Sequence, residues 1–158
     1  MAKIKIVNAR EENIPQMVEN WMEYMDHNTD IYPFLRRRAE AHVEYERSLR
    51  EFMASRDALV LVALDDGLLV GHSIAKLSRF PPGYRGNTDY GHILEIGVGT
   101  KHRGKGIGTM LFDSMIAWFK EKGIKRVELM TEFKNDLAQS FWRGKGFRGY
   151  AEIKYKEL

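Results

Sequence analysis

The amino-acid sequence predicts an α/β (α+β) sandwich around one sheet, and three observations carry that reading. Strand-like and helix-like segments follow one another in the order βααβββαβαβ. Two β-rich runs are joined by Asp65-Asp66-Gly67, where Asp-Gly supplies the positive φ angles of a tight hairpin. A strand then feeds a basic, glycine-rich turn that opens a strongly periodic helix.

The elements read in order as follows. Lys3 to Val7 alternates and reads as a first strand. Ile14, Met17, Val18, Trp21 and Met25 recur at helical spacing, with Asn13 as N-cap and Pro15 in the first turn. Asp26-His27-Asn28-Thr29-Asp30 is expected to break that helix, and a second helical stripe follows Pro33 through Val43, Leu49 and Phe52. Ala58 to Leu64 and Leu68 to Leu77 form the hairpin, and Arg79 to Asp89, with Pro81-Pro82-Gly83, is a loop. His92 to Val98 is a strand, and the helix after the glycines carries Ile107, Met110, Leu111, Met115, Trp118 and Phe119 before Gly123 ends it. Arg126 to Thr131 is a strand, Leu137 to Lys145 a short helix, and Phe147 to Lys156 carries one or two closing strands.

Composition narrows the function. At 158 residues the chain, 1–158, fits a single domain with a core of its own. The absence of cysteine excludes disulfides, thiolate metal sites and a cysteine nucleophile. No early apolar stretch resembles a signal peptide, and no run reaches the roughly 20 residues of a membrane helix. A cytoplasmic protein with no membrane partner is therefore expected. The net charge of +3 favours an anionic ligand without requiring nucleic acid, and Arg36-Arg37-Arg38 reads as a solvated helix face.

The most informative stretch runs from Ile96-Gly97-Val98 through Arg103-Gly104-Lys105-Gly106-Ile107-Gly108-Thr109. The first turn of a helix leaves backbone N–H groups unpartnered under a positive dipole, and glycines let an anion approach them closely. The spacing fits neither a P-loop nor a dinucleotide fingerprint. It does fit [RQ]-x-x-G-x-[GA], and Asn135, Ala138, Phe141, Gly146 and Phe147 fit N-x-x-A-x-x-[FL]-Y-x-x-x-G-F in register. On these motifs the chain resembles the GCN5-related N-acetyltransferase (GNAT) superfamily, strongly over residues 58 to 150 and in element order before that.

The resemblance implies a single mixed central sheet splayed between its fourth and fifth strands and flanked by about four helices. It implies an N-acetyltransferase that moves an acetyl group from acetyl-CoA to an amine of a small molecule or peptide, by direct attack in a ternary complex and without a metal. Ile96, Gly97 and Val98 would pair with the pantetheine arm and stabilise the oxyanion. Arg103, Gly104, Lys105, Gly106, Ile107, Gly108 and Thr109 would hold the pyrophosphate, and Asn135 and Trp142 would lie beside the coenzyme. Where the family usually has a tyrosine to protonate the leaving thiolate, Trp142 stands, and indole N–H is a donor only. Tyr90, Tyr150, water or an unassisted thiolate remain as alternatives.

The attacking amine has an ordinary pKa of about 10.4, so a base is needed. His92 is the first choice, because the resemblance implies a His or Glu at this place on the strand and an imidazole with an ordinary pKa of about 6.5 suits the task. Glu95 is second, since strict alternation puts it on the other face unless a bulge intervenes. Acceptor specificity is expected in residues 21 to 45 and in the Arg79 to Tyr90 loop. A homodimer through the final strands is compatible with the sequence. The rival reading is a non-catalytic acyl-CoA sensor or scaffold, favoured by Trp142.

Overall fold

The β-rich runs of the sequence assemble into one five-stranded sheet of order β1-β2-β3-β4-β5, made of β1 (Lys5–Asn8), β2 (Ala58–Asp65), β3 (Leu68–Arg79), β4 (Asp89–Val98) and β5 (Val127–Leu129). The computed structural model describes residues 4–32, 34, 36–81, 83 and 89–158. Lys3, Pro33, Pro82 and residues 84–88 of the predicted loop lie outside the described residues. The first four strands are antiparallel neighbours and β5 joins β4 in parallel, so the sheet is mixed. The Asp-Gly hairpin forms as its chemistry requires, with φ of 50° at Asp66 and 85° at Gly67.

Each face of the sheet is covered because its strands are apolar on both sides. On one face lie α1 (Ile14–Ile31) and α2 (Ala41–Ala54), whose Ile14, Met17, Val18 and Leu49 pack on Val60, Val62 and Ile74. On the other lies α3 (Ile107–Glu121), whose Leu111, Met115 and Phe119 pack on Leu61, Ala63, Ala75 and Ile93. The short α4 (Asp136–Gly144) sets Phe141 and Trp142 edge-on against Phe112 of α3.

Three expectations are corrected. The Asp26 to Asp30 segment does not break α1, which continues to Ile31. Asn28 is buried there beside Tyr24, Thr29 returns its hydroxyl to the Met25 carbonyl, and Arg37 holds Asp26, so packing, a local bond and an ion pair offset the helix-averse side chains at 26, 28 and 29. Arg36-Arg37-Arg38 precedes α2 and is not part of a helix, with Arg37 paired to Asp26 and Arg38 to Glu44. Residues 148–158 form no strand. Alternation alone does not make one, because a strand needs a partner edge. Here β5 offers three residues, and Ile153 and Tyr155 stay 73% exposed with no core beneath them.

Among the described residues no helix is long and apolar enough to cross a membrane. Leu111 is fully buried at the centre of the α3 face. Leu111→Ala is expected to cost about 2–5 kcal/mol, read as a lower denaturant midpoint at unchanged slope. A cost below about 1 kcal/mol would mean that α3 is not seated on the sheet as described.

Candidate functional site

A bulge in β4 decides what faces what. Ile74 pairs with Glu95 and the next residue of β3, Ala75, pairs with Ile93, so Leu94 is an extra residue with no partner. Ile93 and Ile96, three apart, therefore both join the α3 core. His92 and Glu95, also three apart, both take the opposite face, the one covered by α1 and α2.

Beneath Glu95 the structure brings together two residues that the sequence reading did not single out. Tyr45 of α2 donates its hydroxyl to Glu95 Oε1 at 2.8 Å. The buried His72 of β3 directs its Nε2 at the same oxygen. Tyr45 also stacks on Trp21 of α1, ring centroids 4.3 Å apart and nearly parallel, which fixes its approach. Burial and the nearby Glu95 charge push the Tyr45 phenol well above its ordinary pKa, so it remains a donor. Tyr24 of α1 is pushed up by burial too, with the charges of Glu132 and Glu95 adding to the effect. A clue to His72 was present in the sequence: His72-Ser73 interrupts an otherwise apolar strand, and a polar side chain buried there demands a partner.

His92 is half-buried beside Glu128, its register partner on β5. Burial lowers its pKa below 6.5, Lys76 adds repulsion, and Glu128 opposes both. Tyr90 stacks on Phe80 and lies 6.2 Å from the His92 ring, and Tyr150 donates to Glu128 Oε2 at 2.9 Å.

The sheet opens immediately beyond Ile93. β5 pairs with β4 only over Gly91, His92 and Ile93, while β4 runs on to Val98 bonded to β3 alone. Met130, just past β5, is 73% exposed and has left the sheet. Glu95, Ile96, Gly97 and Val98 thus lie along a β4 edge that has parted from β5.

β4 then leads into the glycine turn. Gly104 and Gly106 have φ of 75° and 79°, the left-handed region glycine favours, and nothing stands within 4 Å of where a Cβ would point. The first bond of α3 runs from the Met110 N–H to the Gly106 carbonyl, which leaves the N–H groups of Ile107, Gly108 and Thr109 ahead of the ladder. Arg103 donates Nε to the Val98 carbonyl at 3.2 Å and Lys105 is exposed. A bare backbone, free amides and two cations form a cradle that suits a diphosphate. Asn135 accepts from the Ala138 N–H at 3.1 Å and so caps α4, and Trp142 packs edge-on against Phe141 and Phe147. Among the described residues no cluster of three or more potential metal ligands occurs.

A mixed sheet that opens between its parallel fourth and fifth strands, above a glycine-led helix, defines a GNAT fold. The chain belongs to the Acetyltransferase (GNAT) family, whose sequence pattern matches residues 18–147. It is similar to N-alpha-acetyltransferase 30 of Schizosaccharomyces pombe, 31% identical over 104 residues that span 66% of this chain and 67% of that one. It is also similar to mycothiol acetyltransferase of Arthrobacter sp., 30% identical over 123 residues, 72% of this chain but only 37% of that longer protein. Among solved structures, a Clostridium acetobutylicum protein described as a predicted acetyltransferase with acetyl-CoA superposes with a TM-score of 0.79 at 19% identity, covering 99% of this chain and 97% of the other.

The lowered pKa of His92 has a consequence for stability. The folded state resists protonation, so this contribution is complete above pH 6.5 and is lost as pH falls from there toward the depressed folded value. His92→Asn removes the titration. The variant's melting temperature is expected to fall less than the parent's when both are acidified through that window. Equal acid losses in the two proteins would contradict the assignment.

Proposed function

We propose that the protein is an acetyl-CoA-dependent N-acetyltransferase that acts on an amine acceptor, with Glu95 as the group that takes the amine's proton through water. The anchoring of Glu95 carries this reading. One carboxylate oxygen is held by Tyr45 and His72, while the other has no protein partner among the described residues, and the side chain keeps 17% of its surface accessible. A carboxylate fixed at one oxygen and open at the other, beside a parted strand edge, is built to orient a water or an amine.

When bound, acetyl-CoA supplies the activated acyl group. The amides of Ile107, Gly108 and Thr109, with Arg103, Lys105 and the bare backbone of Gly104 and Gly106, hold its diphosphate. The edge of Ile96, Gly97 and Val98 that has parted from β5 holds the arm, with Asn135 and Trp142 alongside at α4. His92, kept neutral by its surroundings, lines the acceptor side on the same face as Glu95. Glu132, whose charge is felt at Tyr24, adds negative potential on that side that attracts a cationic amine, while Glu128 is paired with Arg126 and Tyr150. Trp142 serves as packing, so it does not favour a sensor that binds coenzyme without turning it over.

The acceptor is an amine of a peptide N-terminus or a small molecule. The relatives named above are, by their names, an N-alpha-acetyltransferase and a mycothiol acetyltransferase, which supports acceptors of both kinds. We place the protein in the cytoplasm, acting as a single domain.

The test separates the two ends of the site. Gly106→Asp puts a side chain and a negative charge where the backbone turns with φ of 79°. It is expected to weaken CoA binding at least about tenfold by calorimetry. Glu95→Gln is expected to bind CoA as the parent does, yet lower kcat/KM by roughly 10²–10⁴ on whichever amine the parent acetylates from a panel of peptide N-termini, polyamines, aminoglycosides and amino acids. CoA binding indifferent to the change at Gly106, or full activity in Glu95→Gln, would overturn the corresponding half. Tight CoA binding by the parent with no thiol release on any amine would favour the sensor.

A further inference from the structure

A buried polar cluster lies under Glu95, and its chemistry is specific enough to assign. His72 is 1% exposed in the middle of β3, opposite Val62 on one side and Gly97 on the other. Its Nε2 faces Glu95 Oε1, and its Nδ1 is buried with no hydrogen-bond partner. The second hydroxyl contact, Tyr45 to Nε2, is a long 3.5 Å, whereas Tyr45 to Oε1 is 2.8 Å, so both donors converge on one carboxylate oxygen.

The space for this arrangement is made by Gly97. A Cβ there would stand 2.8 Å from His72 Cε1, closer than any real side chain tolerates. The β4 residue opposite His72 is thus the one residue type that lets an imidazole lie flat under the sheet and reach Glu95.

Resting on the reading of Glu95 as proton acceptor, we propose that His72 is a positioning residue: a neutral imidazole with its hydrogen on Nε2, clamping Glu95 Oε1 so that Oε2 is presented to the acceptor. Three steps lead there. An ionised carboxylate accepts only, so the nitrogen facing it must be the donor. Charging the imidazole would put a second N–H on Nδ1, inside a core that offers it no acceptor. A bare nitrogen lone pair is less costly to bury than an orphaned, charged donor.

The proton that leaves the amine therefore does not travel on to His72. It stops on Glu95, at Oε2, because Oε1 already accepts two hydrogen bonds. The imidazole serves as a fixed strut, and Tyr45, pinned by Trp21, is the second. Tyr24 of α1 also feels the charge of Glu95, as it does that of Glu132 past β5.

The experiment uses the whole protein and reads the ring directly. Long-range proton–nitrogen correlation on histidine-labelled protein at neutral pH is expected to show His72 with a protonated-type Nε2 and an unprotonated-type Nδ1. The Nε2 proton should be slow to exchange and far downfield, and should move upfield in Glu95→Gln. A ring protonated at both nitrogens, or with its hydrogen on Nδ1, would overturn the proposal.

A kinetic arm tests the consequence. With the best amine of the panel, His72→Leu is expected to lower kcat on the order of 10- to 100-fold. CoA affinity should stay at the parent's value, and His72→Gln, whose amide can donate from nearly the same place, should recover most of the loss. In a Glu95→Gln background, His72→Leu should change little more. Equal activity of the Leu variant and the parent, or an undiminished effect without Glu95, would overturn the positioning role. A parent that binds CoA but acetylates no amine would overturn the proposed function and the positioning role with it. Should both His72 variants fail to fold, the ring spectra of the parent and of Glu95→Gln decide the matter alone.

Discussion

The extra residue at Leu94 is the constraint on which the rest of the site depends, because strand geometry gives side chains a strict parity and β4 has to break it. In an unbroken strand Ile93 and Glu95 would share a face, and the carboxylate would lie against Leu111 and Met115. A carboxylate among those side chains would have no donor to replace its lost hydration, a cost of several kcal/mol. With one residue bulged out, Ile93, Ile96 and Val98 all reach the α3 core, while His92 and Glu95 are released together onto the face where Tyr45 and His72 wait. A single insertion thus sorts apolar from ionisable side chains along the whole strand, and it bends the strand at the place where β5 stops following it.

That bend ties the two proposed halves of the site together. β4 is held by nine register pairs to β3, so from the bulge to Val98 it is a stiff rod anchored on a central strand. Its far end runs through the turn at Thr100–His102 into the glycine cradle, and Arg103 bonds back to the Val98 carbonyl. The proton acceptor and the anion cradle are therefore fixed relative to each other by one segment of some fifteen residues. Reactions that need two substrates aligned gain most from such rigidity, since the entropy of alignment is settled when the protein folds.

Much of this was legible in the sequence, and the reasons differ by element. The hairpin, the α3 stripe and the glycine turn were legible because their signals are local: positive φ at Asp66 and Gly67, helical periodicity in Ile107 to Phe119, bare backbone at Gly104 and Gly106. The bulge left a trace as well, for apolar residues at 93, 96 and 98 step by three and then by two, which no regular strand allows if all are buried on one side. The persistence of α1 through Asp26 to Asp30 was not legible, because Asp26 is held by Arg37 from outside the helix and Asn28 is buried by the fold. The closing strands failed for the converse reason: residues 148–158 have the right alternation but no edge to pair with. Tyr45 and His72 stand 27 residues apart on a helix and a strand, and only the fold could show that both serve Glu95.

The charge pattern resolves a tension in the proposed chemistry. In the proposed reaction the acceptor arrives as a cationic amine, yet a carboxylate beside an ammonium also stabilises the ammonium, which cannot attack. Desolvation on acceptor binding opposes that preference. In a poorly solvated site the charged pair loses the hydration that sustained it, and the alternative of neutral amine and protonated carboxyl becomes competitive, because neither member then carries a charge. This works only if the carboxylate has a free oxygen to receive the proton and cannot swing into water to escape. Anchoring Oε1 between Tyr45 and His72 meets both conditions at once, since it leaves Oε2 open and denies the side chain its exposed rotamers. The cations that suit a diphosphate, Arg103 and Lys105, lie in the turn beyond Val98, and Arg103 is engaged with the Val98 carbonyl, whereas Glu95 is held by Tyr45 of α2 and His72 of β3.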